Sequence, residues 1–159
     1  MSETLISSDF PLSPAMRRTL DTVLEIIVPA DPERGLPSAR DVNVVAYLAE
    51  HSAGYWGELE RQLQLLDASA RRQFAVPFAE LTPDERMRVA HQLRSADPTF
   101  LRRLALEAIT CYYQDDRVML AIGLEPRPPA PKGHEAYTGD FSLVNPVVAR
   151  GSIWRRTDN

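Results

Sequence analysis

Several features on which binding and catalysis commonly depend are missing from this chain of 159 residues. A single cysteine, Cys111, excludes an internal disulfide and a metal cluster built from several cysteines. No stretch approaches the roughly 18–20 consecutive apolar residues of a transmembrane helix. The seven glycines form no dinucleotide-binding loop, no phosphate-binding loop and no nucleophile elbow. Lysine is almost absent, since Lys132 alone among the 18 basic residues is not arginine.

The charge and hydropathy of the chain are ordinary for a small globular protein. Eighteen basic against 22 acidic residues give a net charge of -4, which disfavours non-specific binding to nucleic acid. The hydrophobic fraction is 44%, close to the average of globular domains. Composition therefore predicts one soluble, mostly helical domain and says nothing about its activity.

A search for reactive or metal-binding side chains returns little. The three histidines, His51, His91 and His134, are scattered and give none of the spacings of a zinc site. Cys111 has no basic neighbour in the sequence and is interpreted as a small buried hydrophobe. Residues 115–116 are adjacent aspartates, interpreted as solvated acids at a helix junction, where Asp116 would cap the next turn. We therefore predict no catalytic, cofactor-binding or metal site in this chain.

The N-terminal region superficially resembles a twin-arginine export signal. Arg17-Arg18 precede an apolar run, but Asp21 and Glu25 interrupt the segment that should be uncharged. Ser13 as the N-cap and Pro14 at the first helical position predict instead an amphipathic helix over residues 14–28.

Capping residues and helical spacing predict the remaining helices. Ser38 with Asp41, and Thr82 with Glu85, have the spacing of capping boxes. One helix is predicted to begin at residue 38. The others are predicted over about residues 55–67, 68–79, 83–95, 98–113 and 118–122.

The helix predicted over residues 98–113 is apolar around most of its circumference. A helix of this kind should be central, or should face both a core and a partner. Tyr112 and Tyr113 are adjacent and point about 100° apart on a helix. Either both belong to the core, or one of them anchors an interface, where tyrosine is enriched.

We predict an all-α fold, a compact bundle of five to seven short helices with an extended, proline-rich C-terminal tail. Residues 1–12 form a flexible arm, residues 13–125 the helical domain and residues 126–159 the tail. The tail begins with PRPPAPKG, which favours polyproline-II structure. Because it also carries large apolar residues, it is expected to pack on the domain, on a partner subunit or on both.

Three segments resemble the gluconate 2-dehydrogenase subunit 3 family. They are LDTVLEIIVPADPERGLPSARDVNVVAYL after the first capping signal, YYQDDRVMLAIG, and VVARGSIWR near the end. The resemblance covers about residues 15–156. It implies a non-catalytic small subunit that stabilises and helps to fold a large dehydrogenase of the glucose-methanol-choline (GMC) class, in a chaperone-like role. FAD is then expected in the partner, which oxidises a sugar, glycoside or alcohol, with a cytochrome c subunit as a further candidate partner and electron acceptor.

Many members of this family begin with a twin-arginine signal, and this chain does not. A cytoplasmic complex is therefore expected, with a periplasmic one as the alternative if the partner carries the export signal. The candidate contacts with the large subunit are aromatic and proline residues and one arginine: Tyr112, Tyr113, Pro128, Pro129, Tyr137, Phe141, Trp154 and Arg155.

Two other classes of function remain open from the sequence. One is a helical binding or scaffold module that never meets a flavoprotein. The other is a small enzyme that uses Cys111, Tyr113 or Asp116. A neighbouring gene for a large flavin dehydrogenase would argue against the first, and activity of the purified chain would be needed for the second.

Overall fold

The structure is a computed structural model that describes residues 12–126, 139–151 and 153. The chain divides into two compact units, Met1–Pro126 and Arg127–Asn159. The described residues contain seven α-helices and no β-strand, so the predicted all-α bundle is confirmed. The helices are α1 (Pro14–Ile27), α2 (Val44–His51), α3 (Trp56–Phe74), α4 (Pro83–Ala96), α5 (Arg102–Tyr112), α6 (Asp116–Ala121) and α7 (Asn145–Arg150).

Helix α1 begins as its capping residues predict. The Ser13 hydroxyl accepts a hydrogen bond from the backbone N–H of Met16, which satisfies one of the donors left free at a helix start. One face of the helix then buries Leu20, Val23 and Leu24. These side chains join a single core made mainly with α3 and α5, whose largest fully buried members include Leu59, Leu63, Leu66, Leu104 and Phe78.

The capping box at Ser38 is present, but it closes a shorter element than expected. Ser38 and Asp41 hydrogen-bond to each other's backbone N–H groups around a 3₁₀ turn, Ala39–Asp41. The chain then becomes extended at Val42, and α2 starts afresh with Asn43 as its N-cap. The predicted start of this helix at residue 38 is therefore wrong. A capping box indicates that a helical turn begins, but it does not indicate how many turns follow.

Helix α3 is longer than expected. It runs without a break from Trp56 to Phe74 and ends at Ala75, which adopts a left-handed conformation with φ of 63°. The separate short helix predicted over residues 68–79 is wrong, since its first half continues α3 and its second half contains only a 3₁₀ turn, Phe78–Glu80. Pro77 does not end α3, whose last helical residue is Phe74.

Helix α5 begins four residues later than the predicted start at residue 98. The Asp97 side chain accepts hydrogen bonds from the backbone and hydroxyl of Thr99, which holds this segment in a turn. Leu101 then has a left-handed backbone with φ of 57°, and α5 starts at Arg102. Helix α6 is capped by Asp115, not by Asp116 as predicted, and Gly123 with φ of 82° follows its end.

The described part of the C-terminal unit is helical where an extended tail was predicted. Asp140 accepts a hydrogen bond from the backbone N–H of Ser142 and caps a 3₁₀ turn, Phe141–Val144. Helix α7 follows, with a proline in its first turn and Gly151 after its end. The extended conformation is therefore wrong for residues 141–150. The proline run, the last six residues and the predicted arm except Leu12 lie outside the described residues.

One buried polar contact ties three elements of the first unit together. The carboxylate of Asp67 on α3 accepts hydrogen bonds from the Thr19 hydroxyl on α1, at 3.1 Å, and from the backbone N–H of Phe78, at 3.0 Å. Thr19 and Phe78 are both buried. The position of the Phe78 turn therefore depends on an acceptor at residue 67.

We predict that Asp67→Ala lowers the free energy of unfolding by about 2 kcal/mol, because the buried N–H of Phe78 loses its acceptor, while the Thr19 hydroxyl keeps the Ala15 carbonyl. Asp67→Asn retains a carbonyl oxygen and should lose less than half of that. Urea unfolding followed by circular dichroism measures both variants. An alanine variant as stable as the parent protein would show that these contacts are replaced by water.

Candidate partner interface

Helix α5 places large apolar side chains on two different faces. Leu104, Ala108, Cys111 and Tyr112 are buried in the core. Leu106, Ile109 and Tyr113 are 58%, 40% and 57% exposed. They follow the i, i+3, i+7 spacing of one helical face, and we call these three residues the α5 stripe.

Two polar residues of α5, Arg103 and Glu107, contact side chains of other elements. Glu107 accepts a hydrogen bond from the hydroxyl of the buried Ser52, and the Arg103 guanidinium lies 4.6 Å from the centre of the Tyr55 ring. The Tyr55 hydroxyl in turn donates to Gln62 on α3. Part of the polar side of α5 is therefore used within the fold, while the apolar stripe is left in solvent.

Burial changes the acidity of Tyr55. Its side chain is almost fully buried, and this loss of hydration raises its pKa to about 12, with the negative charge of Glu58 adding to the effect. The phenol is therefore neutral across the physiological range and acts as a hydrogen-bond donor. The Tyr55 ring contacts Arg103 on the polar side of α5, and this contact helps to fix the orientation of the α5 stripe.

Exposed apolar residues continue beyond α5 in the same unit. Leu120, Ile122 and Leu124 at and after the end of α6 are between 45% and 61% exposed. Single exposed apolar residues are normal, but six within nineteen consecutive residues are not scattered singly. Such a concentration of exposed apolar side chains is typical of a surface that another molecule covers.

The first two segments that carry the family resemblance meet beside this surface. The Tyr112 hydroxyl donates a hydrogen bond to the backbone carbonyl of Pro37, at 3.0 Å. The guanidinium of Arg117 donates to the carbonyl of Asp41 at 2.8 Å and also binds the Asp115 carboxylate. Residues about 75 positions apart are therefore joined, and the end of α5 is fixed against the loop that follows α1.

Electrostatics strengthens this junction. Hydrogen bonds from the Arg117 side chain hold the pKa of the Asp115 carboxyl below its usual range, and Asp115 raises the pKa of Arg117. The pKa of Tyr112 is raised, first by burial and then by the neighbouring Tyr113. All three groups keep their ordinary charge at neutral pH, so the junction is stable there.

The predicted interface residues differ in their exposure, and some of them lie outside the described residues. Tyr112 is buried and hydrogen-bonded within the unit, so of the tyrosine pair only Tyr113 is open to a partner. Phe141, in the C-terminal unit, is exposed. The remaining five predicted residues lie outside the described residues: Pro128, Pro129, Tyr137, Trp154 and Arg155.

Leu106 and Ile109 were not selected from the sequence, although they form the stripe with Tyr113. The signal that could have found them is their spacing relative to the polar residues of α5. Glu107 and Arg103 look like the solvent side of the helix until Ser52 and Tyr55 are seen to pack against them. Without that contact, sequence spacing alone does not tell which apolar face is the covered one.

Of the candidate reactive side chains, Cys111 lies in the core and Asp115 caps α6. Cys111 is buried, and this burial raises the pKa of its thiol, with Asp115 contributing. In the described residues no three potential metal-ligating side chains converge. Within the same residues, none of the helices has both the length and the apolarity needed to cross a membrane.

Comparison with known proteins identifies one family. The family model described as gluconate 2-dehydrogenase subunit 3 matches residues 14–122, from the start of α1 to the end of α6. No curated protein and no solved structure matches the chain. The third subunit of a dehydrogenase is an accessory member of a complex of several subunits. Because the match covers well over half of the sequence, the chain belongs to the gluconate 2-dehydrogenase subunit 3 family.

Proposed function

We propose that this chain is a non-catalytic small subunit that binds and stabilises the large, FAD-dependent subunit of a GMC-type sugar or glycoside dehydrogenase. The observation that carries the proposal is the α5 stripe. Leu106, Ile109 and Tyr113 are exposed in one row on a helix whose opposite face is fixed in the core. A subunit made for a permanent complex is expected to leave such a surface uncovered when it is alone.

The energetic argument favours a stable complex over a transient one. Permanent interfaces bury about 2,000–5,000 Å² in total and resemble a domain core cut in half. Leucine, isoleucine and tyrosine at the centre of such an interface lose contact with water only when the partner is bound. The α5 stripe and the exposed residues at and after the end of α6, Leu120, Ile122 and Leu124, offer a starting surface of this kind.

The partner's chemistry follows from the family expectation. In this proposal FAD is bound by the large subunit, which carries out the oxidation, and a cytochrome c subunit accepts the electrons. The small subunit acts earlier, by covering an apolar surface of the large subunit while that subunit folds. We propose a cytoplasmic complex, or a periplasmic one if the large subunit carries the export signal.

The C-terminal unit is a second proposed contact region. Its described part carries four strongly exposed apolar residues, Phe141, Leu143, Val148 and Ile153. The sequence-based candidates of the same unit, Tyr137, Trp154 and Arg155, are proposed to lie against the large subunit too. Trp154→Ala should then lower the recovery of the complex in a pull-down.

Co-expression of this chain with the protein of a neighbouring gene that encodes a large flavin dehydrogenase tests the proposal. With an affinity tag on this chain only, a yellow complex should be recovered whose bound flavin is released on denaturation. Expression of the large subunit without this chain should give less soluble protein and less flavin per polypeptide. Recovery of this chain alone, colourless and monodisperse, together with normal yield of the large subunit, would refute the proposal and favour an unrelated scaffold module.

A further inference from the structure

A deep apolar cleft opens between α1, α3, α4 and α5, at the end of α5 away from Tyr113. Its volume is about 450 Å³, within the range of small-molecule sites in proteins. The partly exposed Ile26, Leu101 and Ala105 belong to its walls, and the fully buried Leu66 and Phe78 lie behind its surface. The cleft therefore offers apolar side chains that a ligand can reach.

Two arginines stand at the mouth of this cleft. Arg94, from the last turn of α4, and Arg102, the first residue of α5, line it and are exposed. Among the residues that the structure describes, neither forms an ion pair or a side-chain hydrogen bond. Arg94 also has a structural role, because a cation near a helix C-terminus is favourable. That role does not explain Arg102, which lies at the unfavourable end of its helix.

The backbone at the cleft wall is strained. Leu101 is a non-glycine residue in the left-handed region, a conformation that costs on the order of 1 kcal/mol or more. This conformation places Leu101 in the cleft wall directly before Arg102 and delays the start of α5. The strained residue, Leu101, therefore lies between the apolar wall of the cleft and the charged Arg102 at its mouth.

We propose that this cleft binds a small amphipathic carboxylate, with its apolar tail against Ile26, Leu101 and Ala105 and its carboxylate between Arg94 and Arg102. An apolar interior selects the tail, and two guanidinium groups without carboxylate partners select a negative head group. A carboxylate suits arginine because its two oxygens match the paired N–H groups of the guanidinium. This site is separate from the α5 stripe and does not depend on the proposed dehydrogenase partner.

Isothermal titration of the full chain with dodecanoate, below its micelle concentration, tests the proposal. We expect saturable one-to-one binding with a micromolar dissociation constant. Dodecyltrimethylammonium has the same tail and the opposite charge, and it should bind at least about tenfold more weakly. Equal binding of the two amphiphiles would overturn the assignment of the arginines as the head-group site.

Variants locate the ligand in the cleft. The double substitution Arg94→Gln and Arg102→Gln should weaken dodecanoate binding about tenfold and leave dodecyltrimethylammonium binding unchanged or stronger. The matched control, Arg18→Gln with Arg71→Gln, removes two exposed arginines elsewhere and should leave both dissociation constants unchanged. Ala105→Trp should fill the cleft and abolish binding of both amphiphiles, with circular dichroism confirming that the variant is folded.

Two results would overturn the proposal. The first is the absence of saturable dodecanoate binding to the folded parent protein. The second is binding that the glutamine pair and Ala105→Trp leave unchanged, since the ligand would then lie elsewhere. If dodecanoate fails to bind but the glutamine pair weakens a complex with the large subunit, the cleft receives a protein segment, and the proposed function stands without the small-molecule site.

Discussion

Leu106→Glu combined with Ile109→Gln is expected to weaken the complex with the large subunit at least about a hundredfold. Both residues belong to the α5 stripe, and burial of a leucine or isoleucine side chain contributes about 1.5–3 kcal/mol, to which the substitution adds the cost of burying an unpaired carboxylate. Glutamate and glutamine are good helix formers, so α5 itself should be preserved. Biolayer interferometry with the purified large subunit measures the loss.

The control for this pair is Leu65→Glu. Leu65 lies on α3 and is 49% exposed, close to the exposure of Leu106, but it is outside the stripe. It should leave the affinity within about twofold of the parent protein. All variants should unfold within about 0.5 kcal/mol of the parent in urea, because exposed sites contribute little to stability. An unchanged affinity of the stripe variant would place the interface on another surface.

The free energy of unfolding is expected to fall by about 1.4 kcal/mol per pH unit between pH 10 and pH 12 because of Tyr55. Its pKa is raised to about 12 in the fold and is near 10 in the unfolded chain. The stabilisation is therefore fully present below pH 10, where both states hold the proton. It is lost as the pH rises toward 12, because only the unfolded state releases that proton.

Urea unfolding of the parent protein and of Tyr55→Phe across this range measures the effect. The phenylalanine variant has no ionisable group at this site, so the difference between the two curves isolates Tyr55 from Cys111 and the other tyrosines. Parallel curves for the parent protein and Tyr55→Phe would show that Tyr55 ionises without resistance from the fold.

Local signals in the sequence predicted the starts of helices best. Ser13 and Thr82 each accept a hydrogen bond from the third residue of the helix that they precede, as expected from their spacing. These signals are chemical and short-range, because a side chain at the helix start reaches only its own first turn. They are therefore readable without knowledge of the rest of the fold.

Helix boundaries could not be predicted from the sequence where a residue adopts an unusual backbone conformation. Ala75 and Leu101 are left-handed, although neither is a glycine or asparagine. Tertiary packing imposes that conformation, so the end of α3 and the start of α5 could not be placed from local preference. In the C-terminal unit the caps at Asp140 and Gly151 were present in the sequence, but the proline run before them suggested a uniformly extended tail.

The candidate interface was predictable only in part. The sequence showed that α5 is apolar around most of its circumference, and it named Tyr113 as one of two possible anchors. It could not separate Tyr113 from Tyr112, because that choice depends on the carbonyl of Pro37, 75 residues away. The stripe itself becomes visible only when Arg103 and Glu107 are assigned to contacts with Tyr55 and Ser52.

The junction between Tyr112, Arg117 and the loop after α1 has a consequence for the order of events on the ribosome. The partners Pro37 and Asp41 emerge about 75 residues before the side chains that fix them. Closing so long a loop is slow compared with forming a helix, and domains complete their folds as the chain emerges. Until residue 117 has emerged, the carbonyl groups of Pro37 and Asp41 lack their side-chain donors and the core is incomplete. A stalled or truncated product that ends before α6 should therefore be a target for chaperones and proteases.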